Sequence, residues 1–495
     1  MKPFALAALS LGLFATTAAL AAGGRDIAIK GTQGTPACSA CHGAKGEGQP
    51  AAAIPRLAGL NAGYIQRQLA SFADGTRKND TMAPIASALS EAERKTVATY
   101  YANQKPAKPP AAVANTAIAA GTALAQNGDW SRGIPGCGQC HGPGGSGVGA
   151  LVPRLAGQSA QYIEAQIKAW RAGTREDDPM GLMASIARKL DKIEIASIAA
   201  YYATAPNTSL PPPGKATAKA ATAKAGIFTP PPVSAIPDDE FGKTVRLGAN
   251  IFRDTQHYAA QYVGNTLTCQ NCHLDNGRMA DSAPLWAAHV SYPAYRAKNK
   301  HVNTYAERLQ GCFRYSMNGK APALGSKTLV ALEAYSFFLA TGAPVGVEMP
   351  GRGYPALKKP AVPFNYARGE KIYAAKCALC HGANGAGQKS ADGKPVFPAL
   401  WGPKSFNWGA GMGDIKNAAG FIKANMPFSR ANTLSDQDAW DVAAFVDSHE
   451  RPQDPRFTGS LADTRKKYHD GDTWMYGRAV NGVVLGAHSP PSGRR

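Results

Sequence analysis

Cys-x-x-Cys-His occurs four times in this chain of 495 residues: Cys38, Cys41 and His42; Cys137, Cys140 and His141; Cys269, Cys272 and His273; Cys377, Cys380 and His381. That pattern is the attachment signature of c-type haem. The two thiols bond covalently to the haem vinyl groups, and the adjacent His lies beneath the iron as its proximal ligand. Pairs of Cys-x-x-Cys could also build zinc sites or redox disulfides, but neither needs a His after every second Cys. Each copy commits the chain around it to wrapping a haem, so four covalently bound c-type haems are expected. The motifs use eight of the nine cysteines and leave Cys312.

The N-terminus supplies the compartment. Lys2 precedes an apolar run from Phe4 to Leu20, and Ala19-Leu20-Ala21 reads as a small-residue cleavage site. This is the form of a secretory signal peptide over 1–21, with the periplasm as destination and no membrane anchor. In an oxidising compartment a free thiol is at risk unless something, such as a metal, occupies it. The net charge of +20 on a secreted chain argues against nucleic acid. It suits acidic partner proteins or anionic substrates.

The first half is an internal repeat. CSACHGAKGEG, PRLAGLNAGYIQRQL and TYYA return as CGQCHGPGGSG, PRLAGQSAQYIEAQI and AYYA. Two tandem haem domains follow, over 22–104 and 113–205, with a pseudo-twofold relation expected between them. Tyr64, Gln68 and Phe72 stand at helical spacing, and a last helix over 91–104 carries Tyr100 and Tyr101. Residues 206–237, with PPPGKATAKAATAKAG and TPPPV, read as an extended linker. Two less similar haem domains follow, over 238–345 and 360–457, and then a polar tail over 458–495. Candidate first helices hold Phe241, Val245 and Gly248, and Gly369, Ile372 and Tyr373. Last helices are expected over 326–341 and 435–450, the latter opened by a capping box at Ser435 and Asp438. The fold class is mostly α: four class I cytochrome c-like haem domains in two dihaem halves.

Each iron needs a sixth ligand or an open site. A Met there raises the potential, while a thiolate donates charge and lowers it. The ligand loop should lie just before the last helix. Met82 and Met183 are equivalent in TMAPIASAL and LMASIARKL, with Met180 as local runner-up. In the fourth domain Met426 stands in FIKANMPF, with Met412 in GAGMGD as the alternative. In the third, spacing selects Met317, yet Cys312 is five residues earlier in GCFRYSMNG. The residues alone leave Cys312, Met317 and a buried inert thiol all open.

GNTLTCQNCHLDNGR, then APLWAAHVSYPAYRAKNKHVNTYAERLQGCFRYSMNGKAP, resembles the thiosulfate dehydrogenases, a family of dihaem cytochromes c. FPALWGPKSFNWGAGM and LSDQDAWDVAAFVDSHERPQDPRF resemble the second haem domain of that family. The resemblance implies a Cys thiolate as distal ligand of the active-site haem. Carried over, that is Cys312 in place of Met317. Some members use a Lys beside the axial Met of the second haem. Here Asn425 precedes Met426, which implies a plain His/Met haem. The first half resembles cytochrome c4, a tandem dihaem electron carrier, so the chain resembles a fusion of acceptor and enzyme.

The implied reaction joins two thiosulfates into tetrathionate, in either direction, and yields two electrons. The expected partners are thiosulfate, tetrathionate and a downstream electron acceptor (a soluble cytochrome, a high-potential iron–sulfur protein or a terminal oxidase). Two dianions repel with four times the unit-charge term, ~4 kcal/mol at ~4 Å even in bulk water. Cations must offset this. Arg278, Arg296, Lys298, Lys300, Arg308, Arg314 and Lys320 surround Cys312 in sequence. Arg308 lies four residues before Cys312, on the same face if the segment is helical. Arg308, Arg296 and Lys298, with Cys312, are the catalytic candidates. The competing classes are a four-haem electron wire without a substrate site, a sulfur enzyme acting on a carrier-bound substrate, and a dihaem peroxidase. The extra Cys and its basic surround count against the wire. Nothing supplies the acid or base a peroxidase needs.

Overall fold

The computed structural model describes residues 23–106, 116–205, 226–296, 300–360, 362–390 and 393–492. The signal-peptide segment 1–21, linker residues 206–225 and Lys298 lie outside the described residues. The chain is mostly helical. Among the described residues its strands form only two-stranded antiparallel ladders.

One packing motif recurs four times. The helix before or around each haem motif crosses the last helix of its unit: Gly24–Lys30 on Glu91–Ala102, Thr116–Asn127 on Lys192–Thr204, Glu240–Arg253 on Lys327–Leu339, and Tyr366–Lys376 on Asp436–Asp447. Each crossing is closed at a glycine. A Cβ on Gly24, Gly121, Gly248 or Gly369 would lie 2.3, 2.0, 2.0 or 2.1 Å from the carbonyl oxygen of Thr96, Ser197, Ala331 or Asp441. Contact that close is possible only without a side chain, so the four glycines set the interhelical distance. The last helices are well started. Ser90 with Glu93, Asp191 with Glu194 and Ser435 with Asp438 form capping boxes, and Ser326 caps the fourth. Their inward aromatics, Tyr101, Tyr202 and Tyr335, are almost fully buried.

The repeat of the first half is matched by reciprocal contacts. Arg77 donates to Tyr162 Oη (2.8 Å) and Gln166 Oε1 (2.6 Å). Its counterpart Arg175 donates to Tyr64 Oη (3.2 Å) and Gln68 Oε1 (2.8 Å). Exchange of equivalent partners is the mark of a twofold-like interface.

Two parts of the sequence reading change. The end of the Pro-rich stretch is docked onto the third unit. Arg278 donates to the carbonyls of Pro231 (2.6 Å) and Pro230 (3.0 Å). Ile227 and Phe228 pack against that unit's core, Phe228 beside Trp286. The C-terminal segment is no loose polar tail either. It forms a helix Leu461–Tyr468 and buries Met475, Tyr476, Val480 and Leu485 in the core of the fourth unit. His469, fully buried, bonds Asp454 through Nε2 at 2.8 Å. Among the described residues no helix is long and apolar enough to cross a membrane.

Candidate active site and electron-transfer centres

In all four units the His of the motif is oriented the same way. Nδ1 of His42, His141, His273 and His381 lies 3.0, 2.8, 2.7 and 2.9 Å from the carbonyl oxygens of Pro55, Pro153, Ala283 and Pro398. A carbonyl can only accept, so Nδ1 carries the proton and Nε2 keeps its lone pair for a metal. Burial lowers the His42, His141 and His381 imidazoles further, against their carbonyl bonds, which favours the neutral ligand form.

Two apolar cavities meet three of these histidines, His141, His273 and His381. The larger is shared by the second and fourth units and is lined by Cys137, Cys140, His141 and Met183 from one, and Cys377, Cys380, His381 and Met426 from the other. The smaller is lined by Cys269, Cys272, His273, Cys312 and Met317. Leu267, Cys272, Phe406 and Met412 line both. Apolar walls with two thiols at one edge and an imidazole with a bare nitrogen fit a covalently attached haem. Met82 and Met183 occupy matching places, at or near the start of the short helices Met82–Ala88 and Leu182–Lys189. Met426 caps the helix Ile415–Asn425. Met412 also reaches the shared cavity, so the cavity lining admits both fourth-unit methionines.

Cys312 sits where a helix changes pitch. Thr304 and Glu307 form a capping box that starts the helix Tyr305–Gly311. At Cys312 the chain widens into a π-type turn, Cys312–Ser316, closed by Met317 N–H on Cys312 O at 2.9 Å. Such turns re-aim side chains and are frequent at functional sites. Here the turn sends Phe313 and Met317 into the core and keeps Cys312 half-buried at the cavity.

Arg308, one turn earlier, places Nη1 2.9 Å from Cys312 Sγ. Burial pushes the thiol up. The Arg308 guanidinium is the leading counterweight, and the thiol comes down to about 6. Arg308 in turn is driven above its ordinary value, chiefly by Cys312 and against the cost of burial. Arg296, on the strand Ala294–Arg296, is close enough to feel both. Burial and then Arg308 lower it, while Tyr292 and Cys312 act the other way. The structure thus brings Arg308, Arg296 and Cys312 together. Arg278 instead holds the Pro230–Pro231 carbonyls. Lys300, Arg314 and Lys320 are exposed. Two tyrosines went unmarked in the sequence. Tyr292 acts on Arg308 and Arg296, and Tyr354 interacts with Cys272, Arg308 and Cys312. Tyr354 belongs to the segment joining the third and fourth units, where no periodicity or motif points inward.

The first half reaches the fourth unit through a defined contact. Ser185 Oγ and Lys189 Nζ lie 3.1 and 3.2 Å from Ser429 O. Arg430 Nη1 donates to Met180 O, and Trp130 meets Phe428 edge to face at 5.8 Å. Val148 and Ser390 form an antiparallel bridge.

Known proteins divide along the same lines. The family model described as "Cytochrome c" matches residues 28–105 and 118–205. "SoxA/TsdA, cytochrome c domain" matches 255–345, and "Cytochrome C oxidase, cbb3-type, subunit III" matches 364–446. A thiosulfate dehydrogenase of Thiomonas intermedia (strain K12) is 58% identical over 321 residues, which are 65% of this chain and 100% of that protein. A thiosulfate dehydrogenase electron acceptor of the same organism is 50% identical over 183 residues, 37% of this chain and 83% of that protein. The solved structure of a thiosulfate dehydrogenase from Marichromatium purpuratum is similar with a TM-score of 0.87 and 47% identity, over 94% of this chain and 99% of that one. With cytochrome c domains around all four attachment motifs, the cofactors are covalently bound c-type haems. The chain belongs to the thiosulfate dehydrogenase family and joins a cytochrome c4-like dihaem half to an enzyme half.

Proposed function

We propose that this protein joins two thiosulfates into tetrathionate at Cys312 and passes the two electrons from its third and fourth units to its own first half. The observation that carries this is the Arg308 Nη1–Cys312 Sγ contact of 2.9 Å in the cavity lined by the third attachment motif. It holds a thiolate, the form that attacks sulfur, close to neutral pH. A wire without substrate has no use for a nucleophile with its own guanidinium.

The covalent steps balance. The Cys312 thiolate (charge −1) and one thiosulfate (−2) form a sulfur–sulfur bond between Sγ and the sulfane sulfur. The adduct carries one negative charge, and two electrons leave. A second thiosulfate attacks the sulfane sulfur, forms the central bond of tetrathionate and expels the Cys312 thiolate. This is ordinary thiolate exchange, with charge −3 on each side. The bound haems supply the one-electron acceptors, and at least two are needed for each turnover. Arg308 stabilises the thiolate as nucleophile and again as leaving group. Arg308 and Arg296 offset the repulsion of the two sulfonate ends, for which a planar guanidinium is the better donor. Lys298 is a further candidate for the same role. His42, His141, His273 and His381 would hold the haem irons, and Met82, Met183, Cys312 and Met426 would supply the second ligand in their respective units. The shared cavity supports electron flow from the fourth unit to the second. The segment 1–21 supports export to the periplasm, where a cytochrome, an iron–sulfur protein or an oxidase takes the electrons.

Optical titration of the oxidised protein tests this reading. Thiosulfate should reduce the haems, with tetrathionate as product, while sulfite and peroxide should not. Haems that stay oxidised in thiosulfate but respond to peroxide or to a carrier-bound sulfur substrate overturn it.

A further inference from the structure

Much of the polar contact between the two halves is made by the segments that carry Met183 and Met426. On the fourth unit it is the loop after Met426: Phe428, Ser429 and Arg430 all engage the first half. On the second unit it is Met180 and the helix Leu182–Lys189, which carries Met183, Ser185 and Lys189. Trp130 adds the ring that meets Phe428.

Both segments are held in costly backbone conformations. Ser429 and Asn432 have φ of 66° and 62°, and Met180 has φ of 61°. Non-glycine residues reach this left-handed region only when the surroundings over-determine it. Within its own unit the loop has a few anchors, Asn432 N–H on Lys423 O (3.0 Å) and Arg430 N–H on Pro427 O (2.9 Å) among them. The carbonyl of Ser429, three residues from Met426, receives both of its hydroxyl and ammonium donors from the other half. The carbonyl of Met180, three residues from Met183, receives the Arg430 guanidinium from the opposite direction.

We propose that Ser185, Lys189 and Arg430 are positioning residues of a reciprocal clamp, through which docking of the halves holds each methionine loop in its ligating conformation. The potentials of the second and fourth haems are then set across the interface, and electron transfer is tuned where the halves meet. This rests on the assignment of Met183 and Met426 as sixth ligands. A loosened thioether donates less well to the iron, and because Met ligation raises the potential, loosening lowers it.

The test uses the full haem-loaded chain. Ser185→Ala with Lys189→Gln removes the hydroxyl and the ammonium at Ser429, while Arg430→Gln removes the guanidinium at Met180. Four potentials are read by optical potentiometry, together with the long-wavelength charge-transfer band of ferric methionine-ligated haem. Met183→Ala and Met426→Ala identify which haem has moved. The double variant should lower the potential of the fourth haem, and Arg430→Gln that of the second. Each should remove up to about one third of the band, since three haems contribute to it. Ser185→Thr, which keeps a hydroxyl donor, should match the parent. If the double variant does not accumulate, Ser185→Ala alone makes the same comparison. Effects confined to the haem of the substituted half, or no effect, overturn the clamp. If Met426→Ala or Met183→Ala itself leaves the band intact, the ligand assignment falls and takes the clamp with it. If those variants remove the band and the interface variants do not, only the clamp falls.

Discussion

Arg308 Nη1 lies 2.9 Å from Cys312 Sγ, so substitutions should separate the contributions proposed for the two. Cys312→Ser keeps the size and loses the softness and the nucleophile. Cys312→Met restores a sulfur but gives an ordinary electron-transfer ligand. Neither touches an attachment thiol, so both should keep four haems and the fold, and both should lose thiosulfate oxidation by more than about 100-fold. The Met variant should also raise the potential of the third haem, because a thioether donates less charge to ferric iron. Arg308→Gln should cost about 10- to 100-fold, and Arg308→Lys less, since Lys keeps the charge without the planar fork. Met317→Ala should spare turnover by comparison, because Met317, though it lines the same cavity, offers no thiolate to attack substrate. Wild-type turnover in Cys312→Ser, with a changed haem spectrum in Met317→Ala, would reverse the assignment. The Arg308–Cys312 pair was legible because i and i+4 meet on a helix. What sequence spacing could not foresee between Cys312 and Met317 was the π-type turn, since five-residue spacing follows no standard period. Tyr354 was illegible for another reason: its place depends on how two units dock.

At the scale of elements, helices were easy to read and irregular packing was not. The last helices carry their own start signals, such as the capping box at Ser435 and Asp438, and span apolar faces of regular period. The segment after Arg451 buries Met475, Tyr476, Val480 and Leu485 from turns and a two-residue hairpin. Spacings of that kind leave no periodic trace, and the segment therefore reads as polar. The crossing glycines carry a sharp prediction. Gly248→Ala puts a Cβ 2.0 Å from Ala331 O, where only backbone can yield. It should force the helices Glu240–Arg253 and Lys327–Leu339 apart and destabilise the third unit by about 1–3 kcal/mol. A control is Gly325→Ala, whose Cβ meets no atom within 4 Å but whose positive φ brings strain alone. Denaturation followed at the third haem should show the larger loss for Gly248→Ala. Equal losses would mean that the crossing distance is not set by this glycine.

For the whole molecule, the question is what fusion adds to two halves that already fit each other. The bonds of Ser185 and Lys189 to Ser429 O and of Arg430 to Met180 O and the Val148–Ser390 bridge are polar, and Trp130 meets Phe428 ring edge to face. An interface of that kind is the sort that dissociates on dilution. A covalent connection between Ala205 and Gly226 makes docking intramolecular, which can raise the effective concentration of one half for the other to the order of millimolar. Cleavage of the holoprotein between 206 and 225 should therefore leave thiosulfate oxidation with an artificial acceptor intact. It should make reduction of the first-half haems depend on concentration. Stopped-flow mixing with thiosulfate over a dilution series checks this. The uncut chain should reduce its first half at a rate independent of dilution. The cut protein should slow in proportion once diluted below the affinity of the halves, and raised salt should slow it further if charged donors such as Lys189 and Arg430 dominate the contact. A cut protein that stays as fast as the uncut one at every dilution would show that the interface alone holds the halves together. The connection would then contribute to assembly and not to electron transfer.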